Sequence, residues 1–188
     1  MSLAIFGGTF DPIHLGHTHI ATVAKEVINL DKIIFIPCKQ SPHKKSHSLA
    51  TEKQRLEMCQ LSTAEFPWAE VDDHDLTAPV PSYSWRTAEA MKDRFPNAQL
   101  FWLMGTDQWD TLSSWNRAEY LAILVEFIVF SRNSIPKPHK DITMHPISGN
   151  HPASATEIRQ CLFNQLKPPW LNPQVAEFIE IHQLYGHC

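Results

Sequence analysis

Four short stretches of this chain, Leu3 to Phe6 (LAIF), Lys32 to Pro37 (KIIFIP), Gln99 to Met104 (QLFWLM) and Glu126 to Phe130 (EFIVF), are nearly unbroken apolar runs. A strand that does not alternate apolar with polar residues is buried on both faces, and a sheet achieves that when helices cover it on both sides. The segments between the runs have helical spacing: His17–Ile28, Thr51–Glu65 with Leu56, Cys59 and Leu61 on its apolar side, Ser84–Phe95 and Ala118–Leu124. Trp68–Val71 and Ile142–His145 are expected as further strands, Asp107–Trp115 as a loop or short helix, and Ala155–Leu166 and Pro173–Leu184 as terminal helices. With right-handed crossovers, the pattern predicts a doubly wound, mostly parallel α/β sheet in one domain, 1–188. In such sheets ligands bind beyond the carboxyl ends of the strands, where strand order reverses. The loops after Phe6, Pro37, Met104 and Phe130 should emerge there.

The loop after the first run is Gly7-Gly8-Thr9-Phe10-Asp11-Pro12-Ile13-His14-Leu15-Gly16-His17. Glycines let backbone N–H groups approach phosphate oxygens, and the helix that follows adds donors and partial positive charge at its start. His14 and His17 are one turn apart and can point the same way, and Gly16 is expected to leave room for a ligand against the backbone. A second candidate phosphate site is Ser154-Ala155-Thr156-Glu157-Ile158-Arg159. Ser154 with Glu157 has capping-box spacing, and Thr156 and Arg159 could add a hydroxyl and a guanidinium to that helix start.

The H-x-G-H spacing resembles the signature of the nucleotidyltransferase superfamily, and the longer string GGTFDPIHLGH resembles the bacterial nicotinate-nucleotide adenylyltransferase family. That resemblance implies a Rossmann-like nucleotidyltransferase fold and adenylyl transfer from ATP to nicotinate mononucleotide, with His14, His17 and Arg159 as catalytic residues. It places ATP against Gly8, Thr9, Phe10, Asp107, Ser154 and Thr156. It places the mononucleotide against Lys44, Tyr83, Ser84, Trp115 and Arg132. The carrying motifs are Pro42-His43-Lys44 (P-P-H-K, with Ser41 for the first proline), Pro81-Ser82-Tyr83-Ser84 (P-S-Y-T), Gly105-Thr106-Asp107 (G-x-D), Leu112 to Arg117 (L-x-x-W-x-[RK]) and Ala153 to Arg159 (I-S-[SA]-T-x-I-R, with Ala153 for isoleucine). Ala118 stands where the family often has a second tryptophan. Mg²⁺ is implied as a companion of the ATP phosphates, with no protein metal ligands. Open alternatives are a preference for nicotinamide mononucleotide, another adenylyltransferase of the superfamily, and a silent nucleotide-binding module. A phosphopantetheine adenylyltransferase would carry Lys in place of Arg159, and the cytidylyltransferase string R-T-x-G-I-S-T-T is missing.

The net charge of −4 argues against nucleic acid or an anionic membrane as the main partner. Neither G-x-G-x-x-G nor G-x-x-x-x-G-K-[ST] occurs, which excludes an ordinary dinucleotide-binding dehydrogenase and a P-loop enzyme. Cys38, Cys59, Cys161 and Cys188 are scattered without zinc or disulfide spacing, and the chain opens directly into its first strand. A cytoplasmic protein is expected, with oligomeric state open and a homo-oligomer allowed.

Overall fold

The computed structural model describes residues 1–42, 48–132 and 135–186. Six strands, β1 (Ser2–Gly8), β2 (Lys32–Pro37), β3 (Ala69–Val71), β4 (Gln99–Gly105), β5 (Glu126–Ser131) and β6 (Met144–Ser148), form one sheet in the order β3-β2-β1-β4-β5-β6. Every neighbouring pair is parallel, with Ile5 opposite Ile34 on one side of β1 and opposite Trp102 on the other. Strand periodicity divides the apolar runs between two cores. Leu3, Ile5, Trp102 and Phe127 pack beneath α4 (Ser84–Arg94), α5 (Thr106–Asp110) and α6 (Ala118–Leu124). Ala4, Phe6, Phe101 and Ile128 pack beneath α1 (Leu15–Val27), α2 (Glu52–Thr63), α7 (Ala155–Phe163) and α8 (Pro173–Ile181). Among the described residues no helix is long and apolar enough to cross a membrane.

Side-chain caps set the starts of α2 and α8. Thr51 and Gln54 exchange capping-box bonds at the start of α2, at 3.3 and 2.9 Å. Asn172 caps α8 ahead of Pro173. The elements depart from expectation in several places. The last strand lies at Met144–Ser148 rather than Ile142–His145, because its register is fixed by pairing with β5, and an exposed edge position tolerates Pro146. The one-turn α3 (His74–Thr77) has no apolar period to announce it. The terminal helices end earlier than expected, with left-handed backbone at Gln165 and Gln183. The buried stripe of α2 is Arg55, Met58, Cys59 and Ser62, while Leu56 and Leu61 are only half-buried.

The strand order reverses between β1 and β4. The chain leaves β1 toward α1 on one face and leaves β4 toward α5 on the other, which opens a crevice between the two exits.

Candidate active site

A cleft of about 930 Å³ lies at that reversal. Its walls bring together Gly8, Thr9, Phe10 and His17 from the β1 exit, Asp107 from the β4 exit, Ser84 and Trp115 from the α4 side, Arg132 after β5, and Arg159 from α7. These segments span most of the sequence, so only the fold assembles them.

The β1 exit is shaped by Phe10. Its φ of 48° is left-handed, and its ring folds back so closely over Gly8 that a Cβ there would sit 2.8 Å from it. The ring is held edge-on by Phe6 at 5.6 Å and His17 at 5.1 Å. Two guanidiniums fix the loop backbone: Arg55 Nη1 donates to the Thr9 carbonyl at 2.7 Å, and Arg159 Nη1 to the Asp11 carbonyl at 2.7 Å. Arg55 is 1% exposed, so its charge is buried directly behind this loop.

Asp11 is the junction of the region. Its carboxylate accepts the backbone N–H groups of Leu49 at 2.8 Å and Ala50 at 3.1 Å, and the hydroxyl of Tyr185 at 2.7 Å. One buried side chain thereby joins the β1 exit, the segment leading into α2 and the C-terminal residues.

Helix α1 begins at Leu15, earlier than expected, so His14 is its N-cap and His17 its third residue. The rings of the two histidines stack at 3.7 Å. The N–H of His14 donates to Nδ1 of His17 at 3.2 Å, so Nδ1 is an acceptor and Nε2 carries the proton at the cleft wall. His14 lies behind His17, buried, and does not line the cleft. Burial, reinforced by His151, lowers its pKa to about 4, so it is a neutral imidazole at pH 7. The space over Gly16, expected to admit a ligand, is filled: a Cβ there would meet the His14 ring at 3.0 Å and the Ala153 methyl at 3.1 Å. The glycine serves helix packing, and the small residue at 153 is its counterpart.

At the start of α7, Arg159 Nη2 donates to Thr156 Oγ1 at 3.3 Å, which sets the guanidinium between that helix and the β1 exit. The capping box read from Ser154 and Glu157 does not form. Ser154 makes no side-chain cap bond, and it lines a separate groove of about 390 Å³ with Trp170. Side chains near a helix start diverge around the axis, and Ser154 falls on the far side from Arg159. Asp107 folds its carboxylate over Gly105, where a Cβ would lie 2.6 Å from Oδ1, and it still reaches the cleft.

On the other wall, Ser82 N–H donates to the Gln40 carbonyl at 2.9 Å and its Oγ accepts from Lys39 N–H at 3.1 Å, which ties the 80–84 loop to the β2 exit. Ser82 and Ser84 line the cleft, while Tyr83 turns toward the Arg86 guanidinium, 5.1 Å from its ring. Trp115 is 9% exposed and belongs both to the core and to the cleft wall. Lys44 lies outside the described residues.

Four residues that the sequence did not single out carry this geometry: Asp11, Arg55, Tyr185 and Asp75, a buried carboxyl on the cleft wall. Arg55 had a signal, a cation at buried helical spacing from Met58, Cys59 and Ser62. The other three depend on contacts between distant segments. Among the described residues no group of three or more His, Cys, Asp or Glu is placed to hold a metal ion.

The cytidylyltransferase-like family model matches residues 5–161. A Methylacidiphilum infernorum protein named as a nicotinate-nucleotide adenylyltransferase is 42% identical over 97% of this chain and 91% of its own length. A relative of the same name from Listeria innocua is 34% identical over 98% of this chain and 97% of its own length. The structure resembles that of the Plasmodium falciparum nicotinic acid mononucleotide adenylyltransferase complexed with NaAD, with TM-score 0.78 and 20% identity over 98% of this chain and 97% of that one, a likeness of fold.

Proposed function

The chain belongs to the nicotinate-nucleotide adenylyltransferases, within the cytidylyltransferase-like family, and we propose that its cleft joins ATP and nicotinate mononucleotide to give nicotinate adenine dinucleotide and pyrophosphate. The observation that carries the reading is the His14–His17 pair. It presents a protonated Nε2 of fixed tautomer beside a backbone loop whose carbonyls are held by Arg55 and Arg159.

The attacking 5′-phosphate is already an anion, so the reaction needs no general base. It needs in-line placement and relief of charge at the α-phosphorus. His17 donates through Nε2 to the α-phosphate as charge builds on the bridging oxygen. His14 holds that ring by backbone donation and stacking. The N–H groups of Gly8, Thr9 and Phe10 receive ATP, and Asp107 lies at the ribose. Arg159 and Thr156 meet the departing pyrophosphate, and Arg132, on the same cleft wall, meets the mononucleotide. Ser154 contributes through the helix start rather than through its hydroxyl. Ser84, Trp115 and the backbone around Tyr83 receive the pyridine ring, and Lys44 receives the mononucleotide phosphate. A Mg²⁺ ion carried by phosphate oxygens and water would neutralise the triphosphate. The setting is cytoplasmic.

The test is Mg²⁺-dependent pyrophosphate release from ATP with nicotinate mononucleotide, nicotinamide mononucleotide and phosphopantetheine in parallel. Release with the nicotinate compound well above the others is expected. Preference for the nicotinamide compound would overturn the substrate, and ATP binding without turnover would overturn the reaction.

A further inference from the structure

Asp75 is a buried carboxyl group that the reaction above does not use. It is 6% exposed, yet it reaches the wall of the cleft in company with Ser82, Ser84 and Trp115. Its Oδ1 accepts the hydroxyl of Thr87 at 2.7 Å, deep in the protein. Thr87 lies in the first turn of α4, and its N–H reaches back to the carbonyl of Tyr83 at 3.4 Å. Asp75 therefore sits one hydrogen bond from the turn that begins at Ser84, and α4 begins there without a side-chain cap from Tyr83. The positive end of a helix favours one negative group and penalises a second beside it.

We propose that Asp75 is a specificity-determining residue that sets the discrimination between a pyridine carboxylate and a pyridine carboxamide at this end of the cleft. The proposal rests on the adenylyl-transfer reading, which places the pyridine ring against Ser84 and Trp115. A mononucleotide bearing a ring carboxylate brings a second anion to the start of α4. It fits when Asp75 is a neutral acid and is opposed when Asp75 is ionised. A carboxamide is indifferent to that charge or gains from it, because its NH₂ can donate to a carboxylate.

The surroundings favour the neutral acid over the usual ionised carboxylate. Burial raises its pKa, the Thr87 hydroxyl and His74 on its own turn pull it back, and Asp72 raises it further. Asp72 is itself paired with Arg94 of α4, which limits its push. The charged groups facing Asp75 are thus His74, Asp72 and, through Asp72, Arg94. As pH rises through the Asp75 transition, the two carboxylates repel and selectivity for the nicotinate form falls. Binding of that form takes up a proton.

The experiment measures kcat/KM for nicotinate and nicotinamide mononucleotides from about pH 5 to 9 in the wild type, Asp75→Asn and Thr87→Val. The ratio of the two values cancels the titration of the shared 5′-phosphate and of the histidines. In the wild type the nicotinate-to-nicotinamide ratio should fall with pH. In Asp75→Asn it should be flat, and at the alkaline end about tenfold above wild type, the scale of one like-charge contact in a partly buried site. Thr87→Val removes the donor that stabilises the anion, so the pH at which the ratio falls should move upward. A direction of change in the midpoint is not something a loosened fold would produce. A wild-type ratio independent of pH, or an Asp75→Asn variant that loses activity equally toward both substrates with no change in the ratio, would overturn the proposal. Absence of turnover with either mononucleotide in the wild type would instead overturn the adenylyl-transfer reading, and this proposal with it.

Discussion

The hydroxyl of Tyr185 donates to the Asp11 carboxylate at 2.7 Å, closing a contact between residues 174 positions apart. Burial first, and then the carboxylate itself, push the phenol's pKa far up, so the hydroxyl stays a donor at every working pH. Tyr185→Phe removes the donor and keeps the ring. It should lower stability by about 2 kcal/mol, the scale of a buried bond to a charged acceptor, measured by urea unfolding. Asp11→Asn should cost more, because an NH₂ group would then confront one of the three donors.

His17→Ala should lower kcat by about 10²- to 10³-fold, the usual scale for one lost donor to developing charge. The change should fall on kcat more than on KM for ATP, since the loop N–H groups and Arg159 remain. Steady-state kinetics with ATP varied at saturating mononucleotide would separate the two. An unchanged kcat would remove His17 from the reaction.

His14 makes stability depend on pH. In the unfolded chain its imidazole titrates near 6.5, and in the folded protein near 4. Between those values the unfolded chain binds a proton that the folded protein refuses. Stability is therefore full above about pH 6.5 and declines as pH falls toward 4, by about 3 kcal/mol in all. Unfolding free energies measured across that window should show the decline in the wild type and a shallower one in His14→Gln.

Gly16→Ala should destabilise the protein by about 1–3 kcal/mol, because the added methyl would crowd the His14 ring and the Ala153 methyl closer than ordinary van der Waals contact. The same methyl would displace the ring that stacks on His17, so kcat should fall with stability. Combining Gly16→Ala with His14→Ala should cost less than the sum of the single changes, since the shorter side chain vacates the contested space. A double-mutant cycle of melting temperatures tests this.

Where a residue's role is set by its neighbours in the chain, the sequence was readable. Continuous apolar runs around Ile5, Phe35 and Leu103 could only be strands buried on both faces, and the strand-to-helix motif located the β1 exit. A local pattern with more than one structural outcome is decided only by the fold. Ser154 and Glu157 have capping-box spacing, but Ser154 is turned away into another groove. Gly16 is small for the sake of two neighbouring side chains, one of them 137 residues later. Asp11 before a proline reads as a turn residue, and nothing near it in the chain announces that Ala50 and Tyr185 will donate to it. Asp75 lies in a single helical turn too short to have a period. Long-range polar contacts of this kind leave no periodic trace, because one donor and one acceptor suffice.

The two margins of the sheet have a consequence for how molecules of this protein can meet. β3 is only three residues long, and its Glu70 is engaged by Lys32 and Arg94. β6, at the other margin, carries Pro146 in its middle and lacks a backbone donor there. Neither border offers the long row of open amides that a neighbouring chain needs for docking by strand addition. Among the described residues, growth of the sheet by edge-to-edge pairing of copies is therefore disfavoured at both margins.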